Sequence, residues 1–260
     1  MGGVKVGTRI PTNSPSLNSI IVLSDIKTGE TKALIDGIWI TQMRTGAVAT
    51  HSIVTFAKKD FYSIGIIGLG NVARATLIVL LSVIKQPLNI KLLRYKNQAE
   101  IFEKRFKNVT KNTGLLTFSV VDKVRECIQG SDVILSCATY FADDVAEDSW
   151  FDEGITLIPV HTRGFSNCDL FFDKIFADDV NHVKHFKNFS KFPSFFEVTD
   201  VVKDHSLGRK NNKERILVYN IGVATHDINF ATKIYQMFEE KDFIGLQDVK
   251  MDIPKEKFWV

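Results

Sequence analysis

The residues best suited to chemistry lie where Ile64-Gly65-Ile66-Ile67 runs into Gly68-Leu69-Gly70-Asn71-Val72-Ala73. An apolar β run followed by Gly-x-Gly-x-x-Ala meets the needs of a phosphate-binding turn. Gly68 lets the chain turn tightly out of a strand. Gly70 removes a side chain where the backbone must approach a pyrophosphate, and Ala73 is small enough for the next helix to pack closely on a sheet. The positive end of that helix then receives the phosphates. The pattern predicts a dinucleotide site of the NAD(P) type.

The end of the next apolar run bears on which nicotinamide dinucleotide fits. A unit specific for NAD places an acid there to bind the ribose 2′-hydroxyl. Here the run is Lys91-Leu92-Leu93-Arg94-Tyr95-Lys96, without an acid. Arg94 and Lys96 would pair with a 2′-phosphate that a carboxylate would repel, so the sequence favours NADP(H). Ala138 and Thr139 follow a later apolar run, Asp132–Cys137. They either line a nicotinamide site beyond a strand end or simply terminate that strand.

The elements that must hold these residues follow from patterning. Ser63–Ile67, Asn89–Arg94, Leu115–Val120, Asp132–Cys137, Ile155–Val160 and Arg215–Tyr219 read as strands. Ala73–Lys85, Gln98–Asn108 and Val121–Gln129 read as helices between the first of them, the last ended by Gly130. Leu170–Phe176, Phe192–Lys203 and Asp227–Glu240 also read as helices. This alternation predicts a doubly wound parallel sheet. Before it, Ser19–Ser24 and Thr31–Ile35 form a hairpin, and Trp39–His51 a helix with Thr41 as its cap. The tail Ile244–Ile253 reads as a strand returning to this N-terminal part. The expected fold is α/β: a Rossmann-type domain over 56–221, inserted into a smaller α+β domain built from 1–55 and 222–260.

Bulk properties fit a globular enzyme. The 260 residues are 45% hydrophobic and 24% charged, with a formal charge of +3, too small and dispersed to imply nucleic acid. His182–Phe196 interleaves Phe with Lys and His, but its near-threefold spacing fits an amphipathic turn buried on a sheet. The three cysteines form no CxxC and the six histidines no metal spacing, which excludes a disulfide framework and a metal site. No run is long enough to span a bilayer. A cytoplasmic protein without a membrane or nucleic-acid partner is expected.

Several separate segments resemble the ornithine cyclodeaminase and μ-crystallin family. Thr41-Gln42-Met43-Arg44-Thr45-Gly46-Ala47 matches its Thr-x-x-Arg-Thr-x-Ala signature, and Gly68–Ala73 its glycine turn. Gly3-Val4-Lys5 with Pro11 and Asn13 is similar to its Lys-containing strand and Pro-x-Asn loop. Gly208-Arg209 and Gly222-Val223-Ala224-Thr225-His226-Asp227 are similar to its late segments. The resemblance implies a homodimer and hydride transfer at the nitrogen-bearing carbon of a small amino or imino acid. It implies that Lys5 and Arg44 hold the substrate carboxylate. It gives Asp227, otherwise a helix N-cap, a part in the cofactor or substrate site. It also implies that an N-terminal part of the usual family domain is missing here.

One departure bears on the chemistry. Where cyclodeaminases carry an Asp after the fifth strand, this chain places Arg163 in Val160-His161-Thr162-Arg163-Gly164. An Arg accepts no proton and repels an ornithine ammonium. His161 is then the candidate acid or base near neutral pH, and Arg163 a candidate for a second acidic group of the substrate. The expectation is an NAD(P)-dependent oxidoreductase. A cyclodeaminase that recycles its cofactor and a catalytically degenerate binding protein remain the alternatives.

Overall fold

The computed structural model describes residues 1–10, 12, 17–109, 115–161 and 163–240. The chain opens with three antiparallel strands, β1 (Gly2–Arg9), β2 (Leu17–Ser24) and β3 (Thr31–Asp36), paired in the order β1-β2-β3. Helix α1 (Gly37–Phe56) follows directly. Its N-cap is Asp36, whose carboxylate accepts the Ile38 amide at 2.7 Å. Thr41, expected as the cap, instead lies inside the helix, because Asp36 offers a better acceptor one turn earlier.

The second sheet has eight parallel strands: β4 (Ser63–Ile67), β5 (Leu88–Leu93), β6 (Leu116–Val121), β7 (Val133–Ser136), β8 (Thr156–Pro159), β9 (Lys174–Ala177), β10 (Phe195–Glu197) and β11 (Ile216–Tyr219). Their order is β10-β9-β11-β8-β7-β4-β5-β6. The chain runs from β4 outward through β5 to β6, then returns to place β7 on the other side of β4. That reversal makes the carboxyl ends of β4 and β7 a topological switch point, where open α/β sheets bind ligands.

Alternating residues cover both faces, as a buried parallel sheet requires. Ile64, Ile66, Val133 and Leu135 join one core with Ala49, Ile53 and Phe56 of α1 and with Ala73 and Leu77 of α2 (Asn71–Val83). Ile67, Ile134, Leu157 and Tyr219 join the other, with Cys127, Phe165 and Phe172. Helices α3 (Gln98–Val109), α4 (Val124–Ile128), α5 (Val180–Val183) and α6 (Val198–Lys203) fill the connections. The last helix, α7 (Ala224–Glu239), returns to the first sheet, where Ile228 and Ala231 pack with Ile21 and Leu23 of β2 and Ile40 of α1.

Two expected helices turn out differently. Leu170–Phe176 resolves into a short 3-10 turn ending at Leu170 and the strand β9. Phe192–Lys203 divides into β10 and the short α6. Both strands are so short that neighbouring phenylalanines mimic helical spacing; β9 is a strand because it is bonded on both sides, by β10 and β11. Phe186, Phe189, Phe192 and Phe195 pack against the core rather than facing solvent. The tail 244–253, and Pro11 with Asn13, lie outside the described residues.

Candidate active site

The glycine turn occupies the switch point. Gly68 has φ +85°, and a Cβ there would lie 2.5 Å from the Ala138 nitrogen and 2.7 Å from the Cys137 carbonyl carbon. Only glycine lets β4 turn while lying against the end of β7. Gly70 is the opposite case: a Cβ would meet nothing within 4 Å, so its backbone faces open space. No side chain caps α2 at Gly70, and the Gly70 carbonyl takes only the Arg74 amide, at 3.1 Å. The earlier amides of the helix end remain for an anion. Leu69 and Ala73 are buried beneath the turn, while Gly70 and Asn71 are exposed and Val72 half-buried. These residues fit a dinucleotide pyrophosphate. Ala138 is half-buried against Gly68, and Thr139 is exposed beside it.

Arg94 leaves the end of β5 into solvent, where its Nε donates to Asp122 Oδ1 at 2.8 Å and its Nη1 pairs with Glu100. These bonds raise its pKa. The cation is therefore present where the ribose side of a dinucleotide would lie, but two carboxylates already hold it.

The other cations converge from elements far apart in sequence. Lys5 sits on β1 opposite Ile21, on the inward face of the first sheet. Its ammonium donates to Asp227 Oδ1 at 2.8 Å and to Thr41 Oγ1 at 3.4 Å. Thr41 Oγ1 lies 3.3 Å from the same carboxylate oxygen. Arg44, one turn further along α1, places Nε 3.1 Å from Asp227 Oδ2 without an aligned hydrogen bond, so charge attraction holds that contact. A Cβ at Gly222, which has φ +105°, would fall 2.5 Å from Arg44 Nη1. Gly222 follows β11, and its amide is bonded by Asp178 after β9. The Arg44 guanidinium thus lies against the carboxyl edge of the nucleotide sheet. Asp227 is fully buried in the first turn of α7. It is not the N-cap, which is Val223, because its carboxylate turns inward to the two cations. Among the candidates read from the sequence, it lies with Lys5 and Arg44.

His161 and Arg163 lie beyond β8. His161 Nε2 is 2.7 Å from Ser136 Oγ at the end of β7, and its Nδ1 accepts the Arg163 amide at 3.4 Å. With Nδ1 accepting, Nε2 carries the proton and donates to Ser136. Phe141 and Phe165 flank the ring. Burial pushes its pKa down to about 4. The imidazole is neutral at pH 7 with both nitrogens engaged, which differs from an acid or base poised near neutrality. The Arg163 side chain is exposed with its guanidinium 5.4 Å from the Tyr140 ring, a cation–π contact. Gly164 is left-handed, at φ +93°, and packs on Phe141, which fixes the loop carrying Arg163.

Sequence reasoning gave no role to Ser136 or Tyr140, and read Gly222 and His226 only as parts of a family-like segment. Burial, then the Arg44 charge, lowers the His226 pKa. The Gly222–Asp227 spacing was visible, but nothing in it announced that Arg44 would lie against it. No group of three or more metal-binding side chains exists among the described residues, and no helix there is long and apolar enough to cross a membrane.

Comparison with known proteins bears on the family and the fold. Residues 3–242 match the model of the ornithine cyclodeaminase/mu-crystallin family. The nodulation efficiency protein NfeD of Rhizobium meliloti is 23% identical over 233 residues, 87% of this chain and 71% of that protein. The N-((2S)-2-amino-2-carboxyethyl)-L-glutamate dehydrogenase of Staphylococcus aureus is 24% identical, covering 88% of this chain and 71% of that one. Among solved structures, the Thermococcus litoralis Delta(1)-pyrroline-2-carboxylate reductase in complex with NADH and L-proline superposes with a TM-score of 0.78. It is 25% identical and covers 92% of this chain and 78% of its own.

Proposed function

This chain belongs to the ornithine cyclodeaminase/mu-crystallin family, and on that premise we propose that it is an NAD(P)-dependent oxidoreductase of a small amino or imino acid. One observation carries the reading: the Arg44 guanidinium, which shares Asp227 with Lys5, lies against Gly222 at the end of β11, on the carboxyl side of the sheet whose β4 opens the glycine turn. A site that holds a carboxylate beside a nicotinamide is suited to hydride transfer at the carbon between carboxylate and nitrogen. When bound, the cofactor supplies or accepts that hydride.

The chain's own residues do the rest. Gly68–Ala73 receive the pyrophosphate, with Ala138 and Thr139 on the nicotinamide side. Arg44 keeps its charge and orients the substrate carboxylate through its terminal nitrogens. Lys5 adds a second cation and three exchangeable protons. Asp227 fixes both. His161 holds Ser136 and the Arg163 loop rather than moving a proton. Arg163, exposed beside Tyr140 and without a carboxylate partner among the described residues, suits a substrate with a second acidic group, as does the similarity to a dehydrogenase of an N-substituted glutamate.

Two finer features belong to the same reading. Arg94 and Lys96 favour NADP(H), with the 2′-phosphate replacing Glu100 or Asp122 on Arg94. A homodimer is favoured by the outer face of the first sheet, where Val4, Val22 and Leu34 align in one row and Val6 and Ile20 in the next. Val4, Val6, Ile20 and Leu34 are 56–69% exposed, and a contiguous apolar face of this kind marks an association surface.

Titration of the protein with NADPH and NADH, followed by a screen of amino acids and of keto acids with amines, tests the proposal. The expected result is nucleotide binding and stoichiometric change in the cofactor absorbance with at least one substrate. Ammonia release from ornithine without net cofactor change, or no nucleotide binding, would overturn it.

A further inference from the structure

Helix α1 carries Arg44 to the sheet edge, and two residues later it touches the helix that begins the nucleotide site. At Gly46 a Cβ would lie 2.6 Å from both the Ala75 carbonyl carbon and the Thr76 nitrogen, and 2.7 Å from Ala75 Cβ. The bare Cα lets α1 rest directly on the backbone of α2. Carbon atoms in ordinary contact sit about 3.5–4.0 Å apart, so a methyl group at Gly46 requires the helices to separate by about 1 Å.

The contact is also tied by a bond sensitive to distance. Thr50, one turn along α1, donates from Oγ1 to the Thr76 carbonyl at 3.0 Å. Thr76 in turn donates to the Val72 carbonyl at 2.8 Å, inside the first turn of α2. Arg44 and Gly46 lie within one turn of the same 20-residue helix, so a displacement at Gly46 is transmitted to Arg44. Asp227 and Gly222, which hold the guanidinium from α7 and from the end of β11, are not attached to α2.

We propose that Gly46 is a positioning residue that sets the distance between the Arg44 guanidinium and the phosphate-binding end of α2. The inference rests on the function proposed above. Substrate and cofactor are held from different helices, and the Gly46–Ala75 contact is where those two helices are spaced. A substituent there leaves both binding sites intact but shifts one against the other. The signature is a fall in kcat of about 100-fold, the effect of a misplacement near 1 Å, with substrate KM and NADPH Kd within about threefold of wild type.

Gly46→Ala, Thr50→Val and Leu77→Ala test this together. Thr50→Val adds no bulk, so it folds, and it removes the bond to Thr76; kcat is expected to fall about tenfold with KM and Kd retained. Leu77→Ala opens a cavity under α2 without spacing the helices, and is expected to lower stability while keeping kcat within about threefold. A crystal structure of Gly46→Ala should show α1 and α2 further apart. Unchanged helix spacing, unchanged kcat in Thr50→Val, or an equal kcat loss in Leu77→Ala overturns the inference. If the wild type binds no nucleotide, the proposed function fails on its own, and the spacing in Gly46→Ala still decides the geometry.

Discussion

Lys5 and Asp227 are 222 residues apart in sequence and 2.8 Å apart in space. Their pairing joins the first strand to the last described helix, and Arg44 completes it from α1. Asp227 is fully buried and the Lys5 and Arg44 side chains are 19% and 9% exposed, so the pairing is weakly screened. The nearby Asp178 is bonded to the Gly222 amide, and Asp227 pairs with both cations.

Removing that carboxylate strands two cations. Asp227→Ala is expected to cost about 3 kcal/mol of stability, the usual scale for breaking a buried pair, and to abolish saturable substrate binding. Formate or acetate fills the vacated space, so adding either should restore part of the Tm and of kcat. A variant as stable as wild type in urea, or one indifferent to formate, would show that the cations do not depend on Asp227.

The glycine turn was legible because each of its residues has a backbone reason to be there: Gly68 for its left-handed φ, Gly70 for the open space beyond it. The parallel sheet was legible for the same local cause, since β4 and β7 are short, largely apolar runs buried throughout and β5 alternates buried apolar with half-buried residues. The pairing of Asp227 with Lys5 and Arg44 was not legible without resemblance, because it is a long-range contact with no local pattern. The environment of His161 was not legible for a related reason. Its type suggests titration near neutrality, but the ring environment created by Ser136, Phe141 and Phe165 comes from three separate segments. β9 and β10 escaped because three or four residues carry too little periodicity to separate strand from helix.

Arg94 offers a test of nucleotide preference. Its carboxylate partners Glu100 and Asp122 compete with a 2′-phosphate, so Glu100→Gln should tighten NADPH binding severalfold, with little change for NADH. Arg94→Gln should weaken NADPH alone. Fluorescence titrations at two salt concentrations read both effects, and the NADPH advantage should shrink with salt. Tighter NADH binding in the wild type excludes the NADP(H) preference.

The pH response of His161 has a definite sign. Its folded pKa of about 4 lies below the ordinary 6.5, so the unfolded chain takes up this proton first as pH falls. The contribution to stability is whole above pH 6.5 and is lost progressively down to about pH 4, by up to about 3 kcal/mol. Asp169, raised to about 6 by burial, acts in the opposite direction below that pH, so the wild-type curve alone is not diagnostic. The difference between wild type and His161→Gln isolates the imidazole and should narrow on acidification. An NMR titration placing the ring near 6.5 contradicts the assignment and reopens His161 as an acid.

The exposed face of the first sheet predicts the oligomeric state. Under two-fold symmetry each residue appears twice, so Leu34→Lys places two ammonium groups in the apolar row formed by Val4, Val22 and Leu34. Sedimentation should show a dimer for the wild type and a monomer for the variant, with a similar circular dichroism spectrum. A wild type that sediments as a monomer, or a variant that stays dimeric, removes this face from consideration.

Arg163 offers a test of the breadth of the proposed substrate. Its guanidinium lies 5.4 Å from the Tyr140 ring, its amide donates to His161 Nδ1 at 3.4 Å, and Gly164 beyond it packs on Phe141. The side chain is exposed, so one ion pair with an anion is worth about 0.2–1 kcal/mol, or roughly 1.5–5-fold in KM. Arg163→Leu should therefore raise KM for an imino acid with a second carboxylate by that factor, while leaving a monocarboxylic analogue nearly unchanged. Losing both substrates equally would assign Arg163 to the loop's architecture, and losing neither would place the second acidic group elsewhere. Gain of ammonia release from ornithine in the variant would point further, to a site that this single cation keeps from accepting a substrate ammonium.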